Sequence, residues 1–251
     1  MPRYDFAATR LFVAQPLAAG AVVDLERDQS NYILNVLRLR EGDTILVFNG
    51  RDGEWSARIA PGTRKSARLE ISEQARAQRP ACDLHYLFAP IKHARLDYMA
   101  QKAVEMGASK LQPVLTRRTQ VQRVNLERLQ ANAIEAAEQC GIMTIADVAE
   151  PIDLERILRD WPAARRLVFC DEDAAIAEPV QMLRHAVADT PAPALAVLIG
   201  PEGGFDDAER KMINAVPGVI GISLGPRILR ADTAAVAALA VVQAAIGDWR
   251  G

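Results

Sequence analysis

The succession of local patterns after residue 80 constrains the fold of this chain most strongly. From residue 84 to residue 246, short apolar runs typical of buried strands alternate with longer segments whose apolar residues follow helical spacing. Because a helix between two strands carries the chain back across a sheet, this alternation predicts crossover connections and a mainly parallel sheet with helices on both faces. We therefore expect an α/β domain over residues 76–251.

The first 75 residues have a different pattern. Short apolar-rich runs lie between turn residues, and two of these runs are separated by Asn49-Gly50 and Asp52-Gly53, which is a strong hairpin signal. Only residues 28–39 have helical spacing. These features predict a small β-rich, barrel-like domain over residues 1–75, with a linker at about residues 74–82.

The charge of the chain is close to balanced but unevenly distributed. Its 251 residues include 30 Lys and Arg against 32 Asp and Glu, and this net charge of −2 argues against a wholly basic nucleic-acid binder. Residues 76–130, however, contain ten basic and four acidic side chains, whereas residues 131–251 contain ten basic and eighteen acidic ones. A basic middle region suits a surface for a polyanion, although solvated helix faces produce the same pattern.

The cysteines and the apolar runs predict the compartment. Cys82, Cys140 and Cys170 are scattered and lack CxxC spacing, so we expect free thiols, a reducing environment and no metal site. The amino terminus has no apolar signal-peptide core, and the longest apolar run, residues 234–242, falls well short of the roughly 18 residues that span a bilayer. We therefore expect a soluble cytoplasmic protein.

Two loops at predicted strand ends are the candidate ligand sites, since open parallel sheets bind ligands at the carboxyl ends of their strands. The first loop is Gly200-Pro201-Glu202-Gly203-Gly204-Phe205, whose three glycines let backbone groups approach a ligand. Asp206, Asp207 and Glu209 then place negative charge at a helix start, where a phosphate would need a positive one. No GxGxxG or GK[ST] motif is present either, so we exclude a dinucleotide or nucleoside triphosphate and favour a ligand that is neutral or cationic near the acidic groups.

The second loop is Gly225-Pro226-Arg227-Ile228-Leu229-Arg230, which follows a strand pattern at residues 219–224. Asp232 or Thr233 is the predicted N-cap of the helix that comes next. This helix is apolar nearly all round, so we expect it to be buried in the core or against another subunit. The two arginines of the loop are either ligand contacts or ordinary solvated side chains.

With these two loops, the chain resembles the 16S ribosomal RNA uracil-N3 methyltransferases of the SPOUT superfamily. Further matches to that family are Arg10-Leu-Phe-Val13, Val36-Leu-Arg-Leu39, Glu105-Met-Gly107 and Glu135-Ala-Ala-Glu-Gln139. Three positions depart from the family pattern, namely Ala231-Asp232 where Thr-Glu is expected, Asn31-Tyr32 at a usual His position, and Cys140-Gly141-Ile142 in place of Ser-Gly-Arg. None of these departures lies in either ligand loop.

This resemblance implies both an architecture and a reaction. The architecture is a PUA-like β-barrel that binds RNA, followed by a SPOUT-type α/β methyltransferase domain with a C-terminal trefoil knot, in a homodimer. The reaction is methylation of N3 of a specific uridine in 16S rRNA of the small ribosomal subunit, a step of rRNA processing in ribosome biogenesis. The implied cofactor is S-adenosyl-L-methionine, held by Leu198, Ile199, Gly200, Pro201, Glu202, Gly203, Gly204, Leu224, Gly225, Ile228, Leu229, Arg230, Thr233 and Ala234.

Several side chains are predicted to act on the substrate. Arg230 is the predicted cation beside the uracil oxygens, and Glu202 or Asp232 is the predicted base for the N3 proton, with helix capping as the alternative role of Asp232. The carboxylates of Asp171, Glu172, Glu202 and Asp232 are expected to cluster at the strand ends, where they suit the sulfonium cation, and the strand end Cys170-Asp171-Glu172 is a weaker candidate for the same pocket. The predicted RNA-binding residues are Arg10, Arg38, Lys92, Arg95, Arg117 and Arg118.

Two alternative functions stay open at this point. A SPOUT enzyme that methylates the ribose 2′-hydroxyl would differ in placing the methyl group on sugar rather than base. A non-catalytic RNA-binding or ribosome-assembly factor would fail to bind S-adenosylmethionine, although the intact glycines of the two loops argue against a pocket without use.

Overall fold

The computed structural model describes residues 8–63, 66–121, 123–171, 178–190 and 193–250, and the chain divides into two compact units. The first unit comprises Met1–Pro80 together with Ala137–Ile145, and the second comprises Ala81–Ala136 together with Ala146–Gly251. The sequence predicted a change of organisation near residue 80 but assigned residues 137–145 to the second domain, whereas they fold with the first unit.

The first unit is built on a five-stranded sheet. Its strands are β1 (Arg10–Phe12), β2 (Val22–Asp24), β3 (Thr44–Phe48), β4 (Glu54–Thr63) and β5 (Ser66–Arg76), in the spatial order β1-β3-β4-β5-β2. The antiparallel pairing of β3 with β4 agrees with the predicted hairpin. Buried and exposed residues alternate along the first half of β5, so one face of the sheet covers an apolar core that includes Ile45, Val47, Ile59 and Leu69.

A short helical segment connects β2 to β3 and overlaps residues 28–39, the span that the sequence predicted. It consists of α1 (Arg27–Asn31) and one turn of π-helix (Tyr32–Val36). Glu26 is the N-cap of α1 and forms a capping box with Gln29, which satisfies backbone donors that the first turn leaves open. Ser30 ties the segment to the sheet, because its hydroxyl accepts the Ala67 N–H at 3.0 Å.

A buried ion cluster joins the segment Ala137–Ile145 to the sheet of the first unit. Glu54 is fully buried and accepts Arg10 Nε at 2.6 Å and Arg76 Nε at 2.8 Å. Arg10 Nη1 in turn donates to the carbonyl of Ala137 at 2.7 Å. Arg10 is only 6% exposed, so its burial corrects the prediction that this side chain contacts RNA.

The second unit contains the mainly parallel sheet that the alternating pattern predicts. Its strands are β6 (Leu84–Phe88), β7 (Lys110–Leu115), β8 (Asp147–Val148), β9 (Ile152–Asp153), β10 (Arg165–Cys170), β11 (Ala194–Ile199) and β12 (Ile220–Ile222). Their order is β12-β10-β11-β6-β7-β8, and β9 pairs with β7. Each of these pairs is parallel, which confirms the α/β fold class.

Helices connect most of these strands. They are α2 (His93–Glu105), α3 (Leu126–Cys140), α4 (Leu154–Arg159), α5 (Pro179–Ala186), α6 (Asp207–Asn214) and α7 (Ala231–Ile246), followed by a 3₁₀ turn (Asp248–Arg250). Within the described ranges, no helix combines the length and apolar character that crossing a bilayer requires.

The two helices that follow the ligand loops begin differently. The capping box predicted for α6 is confirmed, because Asp206 Oδ1 accepts the Glu209 N–H at 2.8 Å and Glu209 Oε2 accepts the Asp206 N–H at 3.0 Å. The cap predicted for α7 is wrong, since Arg230 is its N-cap and makes no side-chain capping bond. Asp232 and Thr233 lie instead inside the first turn.

Candidate active site

Three neighbouring parallel strands end at one edge of the sheet in the second unit. β10 pairs with both β11 and β12, with Phe169 beside Leu198 and Cys170 beside Ile222, so the loops that leave these strands start side by side. The ends of these strands and the loops that follow β11 and β12 surround a cavity of about 630 Å³. This volume lies in the range of small-molecule sites, roughly 300–1,000 Å³.

Both loops that the sequence singled out line this cavity. Its wall includes eleven of the fourteen residues predicted to hold the cofactor, namely Ile199, Gly200, Pro201, Glu202, Gly204, Leu224, Gly225, Ile228, Leu229, Arg230 and Ala234. The structure does not bring the other three to the wall. Leu198 is fully buried in the apolar core, whereas Gly203 and Thr233 are exposed outside the lining.

The first loop folds back over a phenylalanine. The Gly204 N–H donates to the Pro201 carbonyl at 2.9 Å, and Gly204 has a φ of +68°, a conformation that favours glycine. Phe205 is 6% exposed and packs edge-on against Phe169, with ring centroids 5.5 Å apart. A Cβ on Gly200 would lie only 2.7 Å from the Phe205 ring, so the glycine at this position is required by packing within the loop.

Replacing Gly200 with alanine is therefore expected to displace the Phe205 ring or the loop and to lower the free energy of unfolding by about 1–3 kcal/mol. Gly221→Ala is the matched control, because a Cβ there meets nothing within 4 Å. Urea denaturation of the two variants would measure the difference. Equal stabilities would show that the loop accommodates the methyl group without strain.

The second loop contains two exposed arginines. Ser223 Oγ accepts the Gly225 N–H at 3.3 Å, and Gly225 has a φ of +101°, which turns the chain away from β12. Beyond this turn Arg227 and Arg230 are exposed, and neither guanidinium has a hydrogen-bond or ion-pair partner among the described residues. Ile228 between them is 90% exposed, so this stretch offers one apolar and two cationic groups to a ligand.

The two carboxylates in the cavity wall are both held by arginines. Glu202 Oε1 accepts Arg95 Nη1 at 2.6 Å, and the two side chains are 42% and 44% exposed. Asp171 forms an ion pair with Arg210, in which both side chains are largely shielded from solvent. The sequence predicted a ligand role for Asp171 and an RNA contact for Arg95. It missed Arg210, because a position one turn into α6 is the one sequence feature that would indicate a place near the cavity.

The cavity wall is consequently more basic than the sequence predicted. Among its described residues it contains four guanidinium groups and two carboxylates, which corrects the expectation of an acidic cluster. Asp232 does not line the cavity, and Glu172 lies outside the described residues. Burial raises the pKa of the Cys170 thiol in this wall to about 12, so that thiol stays protonated at neutral pH. Throughout the part of the chain that the structure describes, no three His, Cys, Asp or Glu side chains are grouped to hold a metal ion.

The other basic residues predicted to bind RNA have different environments. Lys92, at the N-cap of α2, and Arg38, in the first unit, are both exposed. Arg117 and Arg118 follow β7 and donate hydrogen bonds to the first loop and to the residue that caps α6. Lys92 and Arg38 are thus available to a polyanion. Arg117 and Arg118 are also exposed, but they are already bonded to the start of α6 and to the first loop, respectively.

Two family models match this chain, and together they define its class. An RNA methyltransferase domain matches residues 78–243, and an RNA methyltransferase PUA domain matches residues 25–72. Because the first match alone spans well over half of the sequence, the chain belongs to the RNA methyltransferase family.

Individual relatives narrow this class further. Ribosomal RNA small subunit methyltransferase E of Synechocystis is 34% identical over 94% of this chain and 78% of its own length, and that of Rickettsia conorii is 29% identical over 93% and 94%. A crystal structure of ribosomal RNA small subunit methyltransferase E from Neisseria gonorrhoeae, bound to S-adenosyl methionine, has a TM-score of 0.83 at 29% identity, with 96% of this chain and 99% of that chain covered. These likenesses confirm the family resemblance drawn from the two loops.

Proposed function

We propose that this protein is an S-adenosylmethionine-dependent methyltransferase that modifies N3 of a specific uridine in 16S rRNA. The observation that carries the proposal is the cavity between the loops that follow β11 and β12, at the carboxyl edge of the parallel sheet. The relatives that extend over nearly the whole chain are ribosomal RNA small subunit methyltransferases, which supports the choice of substrate.

The residues of the cavity fit S-adenosylmethionine. This molecule contains no phosphate, so the acidic start of α6 beside the first loop does not oppose it. Backbone groups of Gly200, Gly204 and Gly225 would hold the adenosyl part, since glycines leave them open to close approach. An exposed arginine of the second loop suits the carboxylate of its amino-acid part. When bound, the cofactor supplies an electrophilic methyl group on a sulfonium.

The side chains on the cavity rim suit a uracil base. Arg230 is exposed there without a partner among the described residues, so its guanidinium can stabilise the negative charge that develops on the uracil oxygens as N3 loses its proton. Glu202, whose carboxylate is in the wall, would accept that proton once Arg95 releases it. Exposed Lys92 and Arg38 would contact RNA phosphates, which position the strand without choosing the base.

The remaining predictions extend this proposal to partners and location. We infer that the enzyme acts on the small ribosomal subunit in the cytoplasm, as a step of ribosome biogenesis, and that it works as a homodimer whose C-terminal segment forms a trefoil knot. The assignment of RNA binding to residues 1–75 and of methyl transfer to the domain that follows them belongs to the same inference. Each of these statements stays a prediction from the family resemblance.

The proposal is tested by methylation of ribosomal RNA from cells that lack this protein. Small subunits and naked 16S rRNA from such cells are incubated with the purified protein and S-adenosylmethionine carrying a labelled methyl group, and nucleosides are then separated by mass spectrometry. We expect label in 3-methyluridine. Label in a 2′-O-methylated nucleoside would favour the ribose-directed alternative, and no binding of the cofactor in calorimetry would favour a non-catalytic RNA-binding factor.

A further inference from the structure

The four residues that follow β7 form a turn that is stabilised by its own side chains. The Thr116 N–H donates to Thr119 Oγ1 at 2.9 Å, and the Thr119 N–H donates to the Thr116 carbonyl at 3.1 Å. The two hydroxyl groups are also 2.9 Å apart. The turn therefore fixes the position from which the two consecutive arginines, Arg117 and Arg118, extend.

Arg118 contacts the first ligand loop from outside the cavity. Its Nη1 donates to the Gly203 carbonyl at 2.6 Å, which is a short charge-assisted hydrogen bond. A Cβ built on Gly203 would lie 3.4 Å from Arg118 Cδ, so the aliphatic part of the arginine also covers this residue. Gly203 therefore contacts Arg118, whereas the sequence predicted that it contacts the cofactor.

Arg117 contacts the same region through its backbone. Its N–H donates to Glu209 Oε1 at 2.8 Å, while Glu209 Oε2 accepts the Asp206 N–H at 3.0 Å. Glu209 is only 2% exposed, so each oxygen of this buried carboxylate satisfies one backbone donor, in the turn after β7 and at the start of α6. The Arg117 side chain adds an exposed ion pair with Asp206 at 3.1 Å.

We propose that Arg118 and Glu209 are positioning residues that hold the first loop in the shape that binds S-adenosylmethionine, and that Arg118 is not an RNA contact. The inference rests on the proposed function. It reassigns a residue of the basic region from the substrate to the cofactor, because the Arg118 guanidinium is already bonded to the backbone of the loop. The loop after β7 thereby becomes part of the cofactor site without touching the cavity.

Arg118→Ala separates the two roles, because Arg118 is exposed and its loss should leave the fold intact. We expect calorimetry to show cofactor binding weakened roughly tenfold, as for the loss of one charge-assisted hydrogen bond. The KM for S-adenosylmethionine should rise in parallel, with the KM for RNA unchanged. Lys92→Ala is the contrasting variant, and it should raise the KM for RNA while cofactor binding stays the same.

The salt dependence of RNA binding gives a readout that loop positioning does not alter. Loss of a phosphate contact lowers the slope of log K against log salt by about 1. We expect this fall for Lys92→Ala and an unchanged slope for Arg118→Ala. A lowered slope with unchanged cofactor affinity in Arg118→Ala would overturn the proposal.

Variants of Glu209 test the buried half of the arrangement. Glutamine keeps one acceptor oxygen but turns an NH₂ group towards the second backbone donor, so Glu209→Gln should bind the cofactor more weakly than wild type and more tightly than Glu209→Ala. Asp207→Asn is the matched control, because this exposed carboxylate lies in the same helical turn. If Glu209→Ala lowered the melting temperature but left cofactor affinity unchanged, Glu209 would stabilise the fold without positioning the loop for the cofactor.

Calorimetry on the wild type keeps this test distinct from the test of the proposed function. A wild-type protein that binds S-adenosylmethionine but transfers no methyl group to 16S rRNA would contradict the proposed reaction. The cofactor affinities of the variants relative to wild type would still decide the roles of Arg118 and Glu209.

Discussion

Replacing Glu54 with glutamine is expected to lower the free energy of unfolding of the first unit by about 3–5 kcal/mol, because it leaves the charge of buried Arg10 without a counterion. The Glu54 side chain is 0% exposed and that of Arg10 is 3% exposed, so water cannot replace the lost carboxylate. Hydrogen exchange of the β4 amides, together with urea denaturation of the full chain, would measure the loss. Asp24→Asn is the control, since its ion pair with Arg68 is exposed and should contribute at most about 1 kcal/mol.

The same carboxylate should make this unit sensitive to acid. Burial alone would raise the pKa of Glu54, but hydrogen bonds from Arg76 and Arg10 and their positive charges outweigh it and hold the pKa below the ordinary value of 4.5. A depressed carboxylate pKa stabilises the folded state above the unfolded-state value, and that contribution is lost as the pH falls through the folded-state value. We therefore expect wild-type stability to fall below about pH 4.5 through this group, and Glu54→Gln to lack that part of the pH dependence. Parallel pH profiles for the two proteins would contradict this account.

Replacing Arg230 with alanine is expected to reduce methyl transfer by about 100-fold or more, the cost of removing one preorganised donor from a developing anion. Its guanidinium lines the cavity rim and is exposed without a partner among the described residues, so no other interaction of the fold depends on it. Cofactor affinity should therefore stay close to that of the wild type. Single-turnover rates and calorimetry on the same preparations would separate the two effects.

Arg230→Lys sharpens this test. Lysine keeps the positive charge but lacks the planar pair of donors. An intermediate rate is therefore expected if catalysis needs both the charge and the hydrogen bonds to the uracil oxygens. Wild-type rate in the lysine variant would mean that charge alone suffices. Loss of cofactor binding in Arg230→Ala would instead assign this arginine to the cofactor, which was the other role predicted from the sequence.

Local patterns in the sequence were sufficient to predict most elements and the place of the site. The alternation of strands and helices predicted the parallel sheet, and the spacing of Asp206 and Glu209 predicted the capping box. Both predictions depend on residues that are close together in the chain. Glycines and strand ends identified the two loops around the cavity for the same reason.

Two errors in the sequence prediction involve partners that are distant in the chain, and a third is local. Arg10 was expected at the surface, because its buried counterion, Glu54, lies 44 residues away and nothing near Arg10 indicates the pairing. The pairing of Glu202 with Arg95 spans 107 residues, so an acidic cavity was predicted where the structure has paired carboxylates. The α7 start was misplaced because Asp232 is a good N-cap residue by type, although Arg230 occupies that position.

The contacts of the segment Ala137–Ile145 affect how the first unit folds during translation and how it can be exchanged between genes. Its carbonyl groups accept hydrogen bonds from Arg10 and Arg76, which are synthesised well before it. During translation the sheet of β1–β5 therefore leaves the ribosome with two arginines that have Glu54 but lack their backbone acceptors, Ala137 and Gly141. The unit reaches its final form only after α3 has followed. For the same reason, a gene exchange at codon 80 would transfer an incomplete module, and a chimaera would need to carry both stretches of the sequence together.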